Sequence, residues 1–165
     1  MLSSILKKSD CAECKFCCSF RRQSLRETPV FTKEAAEKIS KLFPKAHFRP
    51  TGTNSLTIDL FNAYKTSNSE EEAPCPFLEE GKGCLLPPDL KPLDCSIWPL
   101  RIVKSEDSKL QIALTPTCPV INKVPVEKIK ELVKNELAQK ILDYAKSHPD
   151  IIKNSSVFLS NIIYS

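Results

Sequence analysis

Four cysteines fall within one short stretch as Cys11-x2-Cys14-x2-Cys17-Cys18, and this spacing constrains the chain more than any other feature. In a C-x2-C knuckle both sulfurs reach one metal ion while nearby backbone amides hydrogen-bond the thiolates. Apolar packing gives no reason for that interval. Three cysteines at it also open the bacterial [4Fe–4S] run, whose further ligand is followed by proline. Cys75-Pro76 and Cys118-Pro119 both supply such a proline. Neighbouring Cys17 and Cys18 are expected to point apart, and so to serve different metals or different corners of a site.

The remaining cysteines, Cys75, Cys84, Cys95 and Cys118, are spread out, and each is flanked by stiffening or turn residues. Cys75 sits between Pro74 and Pro76, and Cys84 follows Glu80-Gly81-Lys82-Gly83. Cys95 lies between Pro92 and Pro99, and Cys118 between Pro116 and Pro119. Proline fixes φ and removes a donor, so these stretches read as rigid loops presenting thiolates. Eight cysteines divide into two four-thiolate sites, or into one cluster plus one structural zinc. The preferred division puts Cys11, Cys14, Cys17 and Cys118 in one set and Cys18, Cys75, Cys84 and Cys95 in the other.

Several other chemistries are excluded. Only three glycines occur, Gly52, Gly81 and Gly83, too few for a dinucleotide loop or a phosphate cradle. His47 and His148 are the only histidines, which leaves a His-rich metal site or a Ser-His-Asp triad poorly supported. No segment approaches the roughly 18 apolar residues of a membrane span, and the start lacks the charge-then-apolar order of a secretory leader. The chain is therefore expected in the cytoplasm, where thiols stay reduced and metal ligation is favoured over disulfides. Lys and Arg number 24 against 20 Asp and Glu, a formal charge of +4. Two dications held by eight thiolates would bring that to zero, so the basic balance is not read as a nucleic-acid footprint. The run Arg21, Arg22, Arg26 reads as a solvated face, with anion binding as the alternative. Glu70, Glu71 and Glu72 read as a solvated turn, with cation binding as the alternative.

The ordered motifs Cys11-Ala-Glu-Cys14-Lys-Phe-Cys17-Cys18, Cys75-Pro-Phe-Leu, Cys84-Leu-Leu and Lys-Pro-Leu-Asp-Cys95-Ser-Ile-Trp-Pro resemble the CxxCxxCC cysteine-cluster family (YkgJ-like), across roughly residues 11–120. The resemblance implies a zinc- or iron-chelating domain with Cys11, Cys14, Cys17, Cys18, Cys75, Cys84, Cys95 and Cys118 as metal ligands. It implies a [4Fe–4S] cluster or zinc as the cofactor. This chain departs from the family in carrying Lys91-Pro92 and Ser96 where arginines are usual, while the aromatic-Pro step is present as Trp98-Pro99. One relative with a similar cluster, the flagellin lysine N-methylase, gives the alternative of an iron–sulfur-dependent protein-modifying enzyme. No catalytic residue can be named from the residues, and a partner, if one exists, is expected to be another protein.

Elsewhere the periodicities predict a small α+β fold. Thr32 caps a helix running to Phe43 with Ala35, Ala36, Ile39, Leu42 and Phe43 on one face, stopped by Pro44. Leu56, Ile58 and Leu60 alternate as a half-buried strand, and Thr66–Ala73 reads as an exposed loop. Leu100–Val103 and Leu110–Leu114 flank a polar turn as a hairpin. From Val126, apolar residues at Ile129, Leu132, Val133, Leu137, Ile141, Leu142 and Ala145 predict an amphipathic helix of about five or six turns, ended by His148-Pro149. A second helix is expected over 151–165, on Val157, Phe158, Leu159, Ile162 and Ile163. Phe16, Phe20, Phe77 and Trp98 lie near cysteines and are read as core aromatics, with shielding of thiolate–metal bonds as their functional alternative. Together these give an irregular metal-cross-linked core with short strands over 1–125, followed by a C-terminal helix pair over 126–165 packed on it.

Overall fold

The computed structural model describes residues 2, 4–154 and 161–165. It is α+β, as the periodicities predict, and its chain divides into two compact units: Lys7–Cys95, and Met1–Leu6 with Ser96–Ser165. The division falls at Cys95, well before the change of composition at Pro125. Each unit has its own sheet and its own set of buried residues.

The first unit opens with helix α1 (Lys8–Cys14) and a 3₁₀ turn (Phe16–Cys18), leading into strand β1 (Ser19–Arg21). Strand β2 (Val30–Thr32) then feeds helix α2 (Lys33–Leu42). The Thr32 hydroxyl oxygen accepts the Ala35 N–H at 3.1 Å, satisfying one of the amide donors left open at a helix start. Glu34 in the first turn pairs with Lys38 at 2.6 Å, and α2 ends at Phe43 before Pro44. Strands β3 (Phe48–Thr51) and β4 (Ser55–Ile58) complete an antiparallel sheet of order β2-β4-β3. The predicted strand is present as β4, but the alternation is not: Leu60 lies beyond its end, and Thr57 is buried beside Ile58 because its hydroxyl is hydrogen-bonded to Thr28 and to the Pro29 carbonyl. Phe31, Ile39, Ile58 and Phe77 are buried together, with Phe31 and Phe77 edge-to-face at 6.2 Å. Each such side chain contributes about 1.5–3 kcal/mol on burial.

Strand β5 (Glu72–Pro74) pairs antiparallel with β1, Ser19 opposite Pro74 and Arg21 opposite Glu72. The predicted exposed loop therefore ends at Glu71, and Glu72 and Ala73 are strand. Ala73 is fully buried in the core, which is why the loop reading failed there. A short hairpin, β6 (Leu78–Glu79) with β7 (Gly83–Cys84), follows, and then helix α3 (Leu93–Ile97), within which the division of units falls.

The second unit is built on the hairpin of β8 (Leu100–Lys104) and β9 (Leu110–Leu114), as predicted. The long helix is present as α4 (Val126–Leu132), a π turn (Val133–Leu137) and α5 (Ala138–Ser147). Buried Ile129, Val133, Leu137, Ile141 and Ala145 recur every fourth position, with Ala138 buried beside them. At 3.6 residues per turn each such step overshoots by about 40°, so a straight α-helix would rotate this stripe off its partner. In the π turn the Ala138 N–H bonds the Val133 carbonyl, one residue further back than in an α-helix, which takes up that drift. Helix α5 packs on β8 and β9.

The second C-terminal helix is not what the described residues form. Strand β10 (Lys153–Asn154) pairs parallel with β8, and β11 (Ile162–Tyr164) pairs antiparallel with β9, giving a sheet of order β10-β8-β9-β11. Ile162 packs on Val103 and Ala113. Pairing to an existing hairpin edge outweighs local helical spacing here, because β-branched residues such as Ile162 and Ile163 suit a strand equally well. Val157, Phe158 and Leu159 of that expectation lie outside the described residues. No helix among the described residues is long and apolar enough to cross a membrane.

Candidate metal centre

The elements of the first unit carry seven of the eight cysteines. Cys11 and Cys14 lie on α1, whose Cys11 carbonyl accepts the Lys15 N–H at 3.1 Å. Lys15 is left-handed (φ 53°), and this reversal ends the helix and starts the 3₁₀ turn that carries Cys17 and Cys18. The Lys15 ammonium meets the Glu80 carboxylate at 2.7 Å, tying this corner to the β6–β7 turn. Gly83 in β7 comes close to the same helix: a Cβ there would stand 3.4 Å from the Ala12 Cβ. Its φ of +81° is a conformation that favours glycine. Cys84, the next residue, is thereby set beside the helix of Cys11 and Cys14.

Cys75 follows β5, and its N–H donates to the Cys18 carbonyl at 2.7 Å, continuing the β1–β5 ladder up to the thiols. The Leu78 N–H turns back to the Cys75 carbonyl at 3.0 Å, and Leu78 is paired opposite Cys84. Phe77, inside this turn, is buried against Phe31, Phe43 and Phe48, so an apolar anchor holds both cysteines in place. Cys95 lies on α3. Next to it the buried Asp94 carboxylate accepts the Val30 N–H at 3.0 Å, pinning the helix to β2.

Electrostatic interactions mark which sulfurs lie near one another. The Cys17 thiol is pushed far above the ordinary range, first by a hydrogen bond with the Cys18 side chain, then by burial and by the Cys18 charge. Cys75 is pushed up to about 12, mainly by burial and then by Cys84 and Cys17, against a lowering backbone hydrogen bond at Phe77. Cys95 is a half-buried residue whose thiol is nonetheless pushed well up, by removal from water first and then by Asp94, Cys75 and Cys17. The Lys91 ammonium opposes this at both Cys17 and Cys95. A buried group of like charges favours the protonated thiol, and a bound cation would invert that balance.

Cys17, Cys18, Cys75, Cys84 and Cys95 are thus brought together from four stretches of the chain. Cys17 and Cys18 do not point apart as expected: their thiols lie within hydrogen-bonding reach of each other. Cys17 also lies within electrostatic reach of Cys75 and Cys95, which the preferred division put in the other set. Cys118 is buried in the second unit, where its carbonyl accepts the Asn122 N–H at 3.0 Å. No disulfide joins any of the eight cysteines. Among the described residues, no group of three or more His, Cys, Asp and Glu side chains stands in a metal-ligating arrangement.

The charged motifs resolve against each other. Arg21 pairs with Glu70 at 3.0 Å and Glu72 at 3.3 Å, and Arg22 with Glu71 at 3.6 Å. Arg21 and Arg22 of the arginine run and the three glutamates are thus mutual partners, while Arg26 pairs with its neighbour Glu27 at 3.6 Å. Glu71 also accepts the Lys65 and Thr66 amides and the Thr66 hydroxyl, which with Arg22 hold its carboxyl down to about 2. Of the four aromatics, Phe20 and Phe77 are core, Trp98 is half-buried under the Arg101 guanidinium at 4.0 Å, and Phe16 is 49% exposed. Sequence reasoning noted Lys91 only as a replacement for arginine and passed over Asp94. The signal available for both was adjacency to Cys95.

No protein-family model, curated protein or solved structure matches this chain.

Proposed function

We propose that this protein is a thiolate metal-binding module of the zinc- or iron-chelating cysteine-cluster type, working in a reducing, cytoplasmic setting. The observation that carries the reading is the meeting of Cys17, Cys18, Cys75, Cys84 and Cys95, from four separate stretches, with no disulfide among them. These thiols hold their protons in the absence of a cation, and a bound soft cation would displace the protons and stabilise the thiolates together. Cys11 and Cys14, on a helix packed beside Cys84, add two further sulfurs at metal-ligand spacing. The donor set fits soft metals: four thiolates suit zinc in a closed structural site, or an iron–sulfur cluster.

Anaerobic purification followed by metal and sulfide analysis and an absorption spectrum tests this. Zinc in colourless protein, or iron and sulfide in brown protein with a broad visible band, is the expected result. Folded protein without either metal, retaining eight titratable thiols, overturns it.

A further inference from the structure

Beyond the metal-binding reading, and without depending on it, we propose that Cys18 and Cys75 form a reversible disulfide across the β1–β5 ladder, with hydrogen peroxide as the oxidant. The backbone sets the two residues opposite one another. In the ladder Ser19 stands opposite Pro74, Phe20 opposite Ala73 and Arg21 opposite Glu72. One step beyond it at one end, the Arg22 N–H donates to the Glu71 carbonyl at 3.1 Å. One step beyond it at the other, the Cys75 N–H donates to the Cys18 carbonyl at 2.7 Å. Pairing therefore runs from Arg22 and Glu71 to Cys18 and Cys75 without a slip. Opposed residues at a hydrogen-bonded position of an antiparallel pair have Cα atoms about 5.5 Å apart. That lies inside the range of roughly 4.4–6.8 Å that a disulfide spans.

The two side chains also share a face. Alternation along a strand puts Cys18 on the side of Phe20, and Cys75 on the side of Ala73. Phe20 and Ala73 are buried in the core, and Cys75 packs against that same core. The opposite face belongs to Ser19 and Arg21, both of which donate hydrogen bonds to the Glu72 carboxylate. Cys17 and Cys18 are the competing pair, but consecutive Cα atoms across a trans peptide stand only about 3.8 Å apart. That is shorter than an unstrained disulfide allows, so the ladder pair is the favoured product. All eight cysteines are free thiols in this structure. In the first step one thiol of the pair attacks a peroxide oxygen. An S–O bond forms, the O–O bond breaks, and the departing hydroxide takes the thiol proton as water, leaving a sulfenic acid. The second thiol then attacks that sulfur, forming the S–S bond as the S–O bond breaks and a second water leaves. Each sulfur gives up one electron and peroxide takes both. In a reducing compartment a disulfide of this kind is transient and reports oxidation.

Full-length protein, as purified and again after chelation with EDTA, is treated with hydrogen peroxide to test this. Remaining thiols are then alkylated, and tryptic peptides are mapped by mass spectrometry without reduction. The expected product joins peptide 16–21 to peptide 66–82, with fragmentation placing the bond between Cys18 and Cys75 and dithiothreitol parting the two. The link should form in Cys17→Ser and be lost in Cys18→Ser. The proposal is overturned by the absence of the link in both preparations, or by a Cys17–Cys18 bond as the main product. It is equally overturned by a bond from Cys75 to any other cysteine, or by a link that survives Cys18→Ser. Protein that holds no metal yet forms the link upholds the proposal while overturning the metal-binding reading. Protein that binds metal but never forms the link, even after chelation, does the reverse.

Discussion

Metal uptake by this protein should be steeply dependent on pH, because the thiols that face one another hold their protons tightly. Cys17, Cys75 and Cys95 are all pushed above the ordinary thiol range, Cys75 to about 12. Between pH 6.5 and 7.5 each is therefore a neutral thiol in metal-free protein. Ligation requires the thiolate, so each of these three ligands releases one proton when it binds. Every released proton adds one decade of apparent affinity per pH unit, equivalent to about 1.36 kcal/mol. A site containing the three raised thiols therefore gains at least about a thousandfold in affinity, about 4 kcal/mol, over that single pH unit. Any further thiol ligand, still protonated there at an ordinary value near 8.5, adds to the slope. Zinc titration against a chromophoric competitor of known pH dependence, with proton release followed in weak buffer, measures both quantities. A slope at or below one decade, or fewer than about two protons per loaded protein, would refute the argument that these thiols act together.

Three further expectations follow from the same contacts. In metal-free protein the raised folded-state values of Cys17, Cys75 and Cys95 give a contribution to stability that is complete below the unfolded thiol value near pH 8.5 and is lost as pH climbs above it, for Cys75 toward about 12; thermal melts at rising pH should show Tm falling there, and a Tm that rises refutes it. Glu71 has the opposite sign: its depressed carboxyl contributes above the unfolded value near 4.3 and loses that contribution as pH falls toward about 2, so Glu71→Gln should flatten the acid limb of the melt. Thr32→Ala removes the α2 cap and should cost about 1 kcal/mol in urea unfolding of the first unit, with Thr32→Ser restoring most of it.

Where contacts are local, the residues alone were enough. The Thr32 cap, the Pro44 stop, the β8–β9 hairpin and the long helix from Val126 all depend on neighbours within a few positions, and each is found close to where it is read. The π turn within that helix was not legible, because its apolar residues mix steps of three and four as in any amphipathic α-helix. The C-terminal strand β11 was not legible, because Ile162 and Ile163 fit a helix face or a sheet edge, and only the partner β9 chooses.

The chain's own spelling determined which side chains could make a site: sulfurs, at metal-ligand intervals, with aromatics close by. Folding decided which sulfurs face one another, for that depends on the β1–β5 ladder, the Phe77 anchor and the Gly83–Ala12 approach, all joining residues far apart in the chain. It likewise turned two charged runs into partners, Arg21 and Arg22 with Glu70, Glu71 and Glu72. Short-range periodicity reports what a segment can bury or cap, whereas pairing between distant segments is settled by the packing free energy of the whole unit.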